Sequence, residues 1–138
     1  MRFVDANVFV YAVLKPKRSL SESEKNIKTN SSNIVNRIDK GEEVITSVVH
    51  LSEVANILED VSSQRIAADF MINVLSKPNL EVVLVDKNMY TAASFLAKEK
   101  SVGVNDALAA LIMKDQGISE IYSFGKHLDD LGVKRIAE

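Results

Sequence analysis

The chain predicts an α/β protein: a single three-layer α/β/α sandwich in which helices cover both faces of a mostly parallel sheet of four to five strands. Three observations lead there. Short β-rich runs alternate along the sequence with stretches of helical apolar period, the pattern of a parallel sheet linked by crossover helices. The run "LEVVLVD" (80–86) is continuously apolar, as in strands buried on both faces. Finally, 138 residues, 46% of them hydrophobic, provide for one sizeable core, so residues 1–138 read as one domain.

Taken in order, "RFVD" (2–5) reads as a buried strand and residues 6–14 as a short helix with Asp5 as its N-cap. A polar, Ser- and Lys-rich connection follows, mobile where it begins. Ser21 and Glu24 have the spacing of a capping box, and Ile27, Ile34, Val35 and Ile38 share a helical face, so a helix runs from there until Gly41 ends it. "EVITSV" (43–48) is the second strand. The helix from about Val49 to Asp60 sets Val54, Ile57, Leu58 and Val61 on one face. Ser62 or Ser63 caps the next helix, which stops before Pro78. After the strand at 80–86, Asp86 caps a helix to about Glu99. Another helix starts near Asn105 and closes at Gly117. "EIYSF" (120–124) is the fourth strand and "VKRIA" (133–137) a possible fifth, with Asp129 and Asp130 in a turn before it.

Several chemistries are excluded or disfavoured. The chain has no cysteine, so disulfides and thiolate metal sites are ruled out, which suits a cytoplasmic setting. The run from Phe3 to Leu14 lacks a basic leader and a cleavage site, is broken by Asp5 and Asn7, and is too short to span a bilayer, so a soluble chain with no membrane role is expected. His50 and His127 lack zinc-ligand spacing and read as structural. No phosphate-binding glycine loop and no nucleophile elbow is present. Phe9, Tyr11, Phe70, Tyr90 and Phe95 fall mostly in helical apolar patterns and read as core. The formal net charge is only −2, but it is uneven: residues 15–40 carry +4 and the remainder −6. A basic arm beside an acidic body suits an anionic polymer plus a cation site, and equally an ordinary solvated helix pair.

Open parallel sheets bind ligands beyond the carboxyl ends of their strands. Asp5 ends the first strand, Glu53 lies early in the helix after the second, and Asp106 begins the helix leading into the fourth. Each acid alone has an ordinary reading as a helix cap, a first-turn acid or a surface glutamate. Together at one sheet edge they would repel one another and raise their own pKa values unless a cation neutralised them. Oxygen-only ligand sets suit hard divalent cations, Mg²⁺ above all.

The segments "FVDANVFVYAV", "TSVVHLSEVANIL", "GVNDALAALIMKDQG" and "EIYSFGKHLDDLGVKRI" occur in this order, and with them the chain resembles the PIN domains, most closely the small VapC-type toxin ribonucleases of toxin–antitoxin pairs. The resemblance implies a PIN-like fold and a divalent-metal-dependent endoribonuclease using Mg²⁺ or Mn²⁺. It places Asp5, Glu53 and Asp106 as catalytic metal ligands, with Asn7 and Ser123 in supporting positions. It also implies a homodimer and a cognate VapB-like antitoxin whose tail would cover the acidic pocket. Where the family usually has an acid after the Ser-Phe pair, this chain has Gly125; Asp129 or Asp130 matches a following acidic position, with a turn as the alternative role. Lys15, Lys17, Arg18, Lys25 and Lys28 would contact the RNA backbone or the antitoxin.

Two other classes stay open at this stage. With Gly125 in place of an acid, the chain would be a non-catalytic PIN-like module that binds RNA or protein. A phosphoacceptor receiver domain fits the length and Asp86, but it wants paired acids at the end of strand one, where "FVDAN" supplies one.

Overall fold

The first strand and the first helix meet at a single residue. In the computed structural model, which describes residues 1–138, β1 (Arg2–Val4) runs directly into α1 (Ala6–Val13) through Asp5, whose carboxylate accepts the Ala6 N–H and caps the helix. α2 (Glu22–Asp39) starts at the Ser21–Glu24 capping box. It ends where the Gly41 N–H bonds the Ile38 carbonyl and the Glu42 N–H that of Arg37, a closure that turns Gly41 to φ +112°. β2 (Val44–Ser47) passes without a loop into α3 (Val48–Val61), which Ser47 caps, and Ser63 caps α4 (Gln64–Leu75). β3 (Leu80–Val83), α5 (Lys87–Lys100), α6 (Val104–Gln116), β4 (Glu120–Tyr122), a 3-10 turn (Lys126–Leu131) and β5 (Lys134–Ile136) complete the chain.

All five strands are parallel, in the order β3-β2-β1-β4-β5. Period-two alternation divides their side chains between two cores. Val4, Val44 and Tyr122 face α1 to α4 together with Phe9, Ile34, Val54 and Leu58. Phe3, Ile45 and Ile121 face the opposite layer, with Leu108, Ile112, Met113 and Ala93 from α5 and α6. The expected sandwich is therefore present, with all five strands in one sheet. No helix is long and apolar enough to cross a membrane.

Four local expectations need correction. "LEVVLVD" is not a strand buried on both faces: β3 is an edge strand that stops at Val83, and Leu84 beyond it is 80% exposed. β4 ends at Tyr122, because Ser123 and Phe124 turn toward the site described below. α6 is capped by Gly103, without a side-chain bond, so Asn105 lies inside the first turn and its amide is free for another role. Phe95 is 72% exposed, not core, and Tyr11 and Tyr90 are also exposed, whereas Phe9 is buried and packs edge-on against Phe70.

Candidate metal centre at the carboxyl edge of the sheet

The central strands β1 and β4 are neighbours, but the chain leaves β1 in one direction across the sheet and returns to β4 on the other side. This is the switch point at which parallel sheets open a crevice. Asp5 and Ser123, each one residue past its strand, are held side by side there. The Ser123 hydroxyl donates to Asp5 Oδ2 at 2.7 Å and accepts the Gly125 N–H at 2.9 Å. Asn7, in the first turn of α1, lies beside them and its Oδ1 accepts the Phe124 N–H at 3.4 Å. Asp5 is 7% exposed. Burial raises its pKa, a rise that the Ser123 hydroxyl and the Ala6 N–H oppose and that the charge of Glu53 augments.

Glu53 and Asp106 line an open cleft of about 370 Å³ with Tyr90, Gly103, Val104 and Asn105. Asp106 lies over the bare Cα of Gly103: a Cβ there would stand 3.3 Å from Asp106 Oδ2. Its pKa is raised by burial first and then by the charges of Asp5 and Glu53, against the lowering by His127 and His50. The three predicted acids thus act on one another electrostatically, and none takes part in any of the chain's ion pairs. No three acidic or histidine side chains stand close enough together to hold a metal ion by themselves. The donors present are carboxylate oxygens only, the chemistry that hard divalent cations take together with water.

Behind the acids lies a polar network that the sequence did not announce. His50 is fully buried and packs edge-on against Phe3, with 4.9 Å between ring centroids. Burial lowers its pKa, which favours the neutral ring, against the opposing pull of the Asn105 carbonyl, Glu53 and Asp106. Its Nε2 lies 2.9 Å from the Asn105 carbonyl, which can only accept, so Nε2 carries the proton; Nδ1 then accepts from the Ser47 hydroxyl at 2.6 Å. The reading of His50 as structural agrees with this. The Asn105 amide in turn donates to Glu53 Oε1 at 2.7 Å and accepts from the Tyr90 hydroxyl at 2.8 Å.

Other predicted residues lie elsewhere. Asp129 pairs with Arg135 at 3.1 Å in the 3-10 turn, and Asp130 is exposed. Lys15, Lys17, Arg18 and Lys28 line a groove of about 560 Å³ together with Tyr11 and Asp60, and this groove shares no residue with the acidic cleft. Within the basic segment, Lys28 donates to the Tyr11 and Leu14 carbonyls at the end of α1, Lys25 pairs with Glu22, and Arg18 grips Glu24, holding its carboxyl down at about 2. Lys15 and Lys17 are exposed and make no ion pair.

Comparison with known proteins gives the geometry a context. A family model described as PIN domain matches residues 2–134. Among solved structures, the chain is similar to VapC20 of Mycobacterium tuberculosis, a sarcin-ricin loop cleaving toxin, with TM-score 0.76 and 18% identity over 100% of both chains. It is also similar to VapBC2 from Rickettsia felis, solved bound to a DNA fragment from its promoter, with TM-score 0.65 and 15% identity over 98% of this chain and 96% of that one. No curated protein sequence matches.

Proposed function

The chain belongs to the PIN-domain family, its match extending over residues 2–134, and on that premise we propose that it is a divalent-metal-dependent endoribonuclease that hydrolyses RNA phosphodiesters and serves as the toxin of a toxin–antitoxin pair. The observation that carries this reading is the grouping of Asp5, Glu53 and Asp106 at the switch point, where their charges act on one another and none of them is held in an ion pair. VapC20, to which the chain is similar, is a sarcin-ricin loop cleaving toxin, which supports the same substrate class here.

Asp5 and Asp106 would hold the ion and Glu53 would complete its shell or orient water. The chemistry that Mg²⁺ or Mn²⁺ would supply there is Lewis acidity and a bound water of lowered pKa. The chain's own residues set the conditions. Ser123 and the Ala6 N–H favour the charged form of Asp5 against the effect of its burial, and Gly103 leaves Asp106 room beside it. Asn7 steadies the backbone at Phe124. Lys15 and Lys17 are the cations of the basic arm free to meet RNA phosphates or an acidic antitoxin segment, and in the assembly proposed here the toxin is a cytoplasmic homodimer paired with a VapB-like antitoxin.

The test is incubation of single-stranded RNA with antitoxin-free protein and Mn²⁺, with EDTA in a parallel reaction. Water as the nucleophile requires cleavage that stops with EDTA, returns with Mn²⁺, and leaves no 2′,3′-cyclic phosphate. RNA that stays intact under all conditions, while the protein binds it, would favour a non-catalytic binding module.

A further inference from the structure

We propose that Asn105 is a positioning residue that sets the Glu53 carboxylate for cation binding, clamped for this task by His50 and Tyr90. The inference rests on the metal-nuclease reading and names a residue outside its ligand set.

Every hydrogen bond in the clamp has one possible direction. Glu53, as a carboxylate, only accepts, so Asn105 Nδ2 faces it and Oδ1 faces the other way, toward the Tyr90 hydroxyl. The Asn105 carbonyl only accepts, so the His50 Nε2–H supplies the proton. The backbone and both ends of the Asn105 amide are therefore fixed, from α3 through His50 and Glu53 and from α5 through Tyr90. The bond to Glu53, at 2.7 Å, is short and charge-assisted, and Glu53 Oε2 keeps no protein partner. A glutamate side chain in a half-open cleft would otherwise sample several rotamers. Asn105 holds one of its oxygens and leaves the other to the cleft.

The placement also explains the residue type. Asparagine is a poor interior residue for a helix and is favoured at caps. Here Gly103 is the cap and Asn105 is inside the first turn, so its amide serves the neighbouring helix instead of its own N-terminus. Because Asp106 follows directly, the same turn supplies one acid and holds a second.

Mn²⁺ alone is the probe, titrated into the protein and followed by the electron paramagnetic resonance of the free ion, for wild type, Asn105→Ala, Glu53→Ala and the double variant. The expected result is about tenfold weaker binding for Asn105→Ala, and no further weakening when it is added to Glu53→Ala, since the residue acts through Glu53. Tyr90→Phe leaves Asn105 in place but removes one side of the clamp; it should weaken Mn²⁺ binding by a smaller factor, and it carries the test if Asn105→Ala does not fold. Wild-type affinity in Asn105→Ala, or the same loss with and without Glu53, would overturn the proposal, as would a wild type that binds no Mn²⁺. A wild type that shows the Glu53–Asn105 coupling yet cleaves no RNA would uphold the positioning role and overturn the nuclease reading alone.

Discussion

Gly125 stands against the cluster of Asp5, Asn7 and Ser123 without being required by its own backbone. Its φ of −82° suits any residue, and a Cβ there would lie 3.4 Å from Ser123 Oγ, 3.8 Å from Asn7 Nδ2 and 3.9 Å from Asp5 Oδ2, all ordinary contacts. Gly125→Asp should therefore fold and direct a fourth carboxylate toward Asp5. Mn²⁺ titration is expected to show binding tightened several-fold, while the metal-free protein melts a few degrees lower from added like charge; unchanged affinity would mean that the position does not face the ion. The placement of Asp5, Glu53 and Asp106 at one sheet edge was legible in the sequence because each falls at a predicted strand end or near a helix start. Asn105, Tyr90 and His50 were not, because their roles depend on contacts between residues 15 to 55 positions apart. A residue beside a predicted acid, of poor helix propensity and not needed as a cap, is the signal that was available for Asn105.

At the scale of elements, α6 carries the site on its first turn and the core on the rest. Leu108 and Met113 are fully buried in the layer against Phe3 and Ile121. Leu108→Ala should cost about 2–5 kcal/mol through the cavity left behind, measured by urea unfolding, and should loosen Asp106 two residues earlier. The sequence announced this helix clearly, since "ALAALIM" has no polar side chain, and the capping box before α2 and the Asp86 cap of α5 also appear as expected. It misjudged β3. An apolar run has the same letters in a central strand and at an edge, and only the strand order reveals that Leu84 has no neighbouring layer.

For the molecule as a whole, the acids set stability against function. The raised pKa values of Asp5 and Asp106 mean that the folded chain holds protons the unfolded chain has released. Their contribution to stability is complete below the ordinary carboxylate pKa of about 4 and is lost as pH rises through the raised values. His50, lowered by burial, works in the opposite direction: its contribution is present above the ordinary histidine pKa of about 6.5 and is lost as pH falls toward the folded value. At neutral pH the metal-free Asp106→Asn protein should accordingly melt a few degrees above wild type, by differential scanning calorimetry, because a repelled, half-buried charge is gone. Added Mn²⁺ should raise the wild-type melting temperature and leave that of Asp106→Asn nearly unchanged. An Asp106→Asn protein melting below wild type would mean that the acid is paired with a cation and not repelled.

The most direct measurement is the rate of single-stranded RNA cleavage at saturating Mn²⁺ by wild type and by Asp5→Asn, a change that keeps the side-chain oxygen capping α1 while removing the charge. A fall of about a hundredfold or more, in a variant that still folds, is the result expected of a residue that holds the ion. Equal rates for the two proteins would contradict the assignment of this carboxyl edge as the catalytic site.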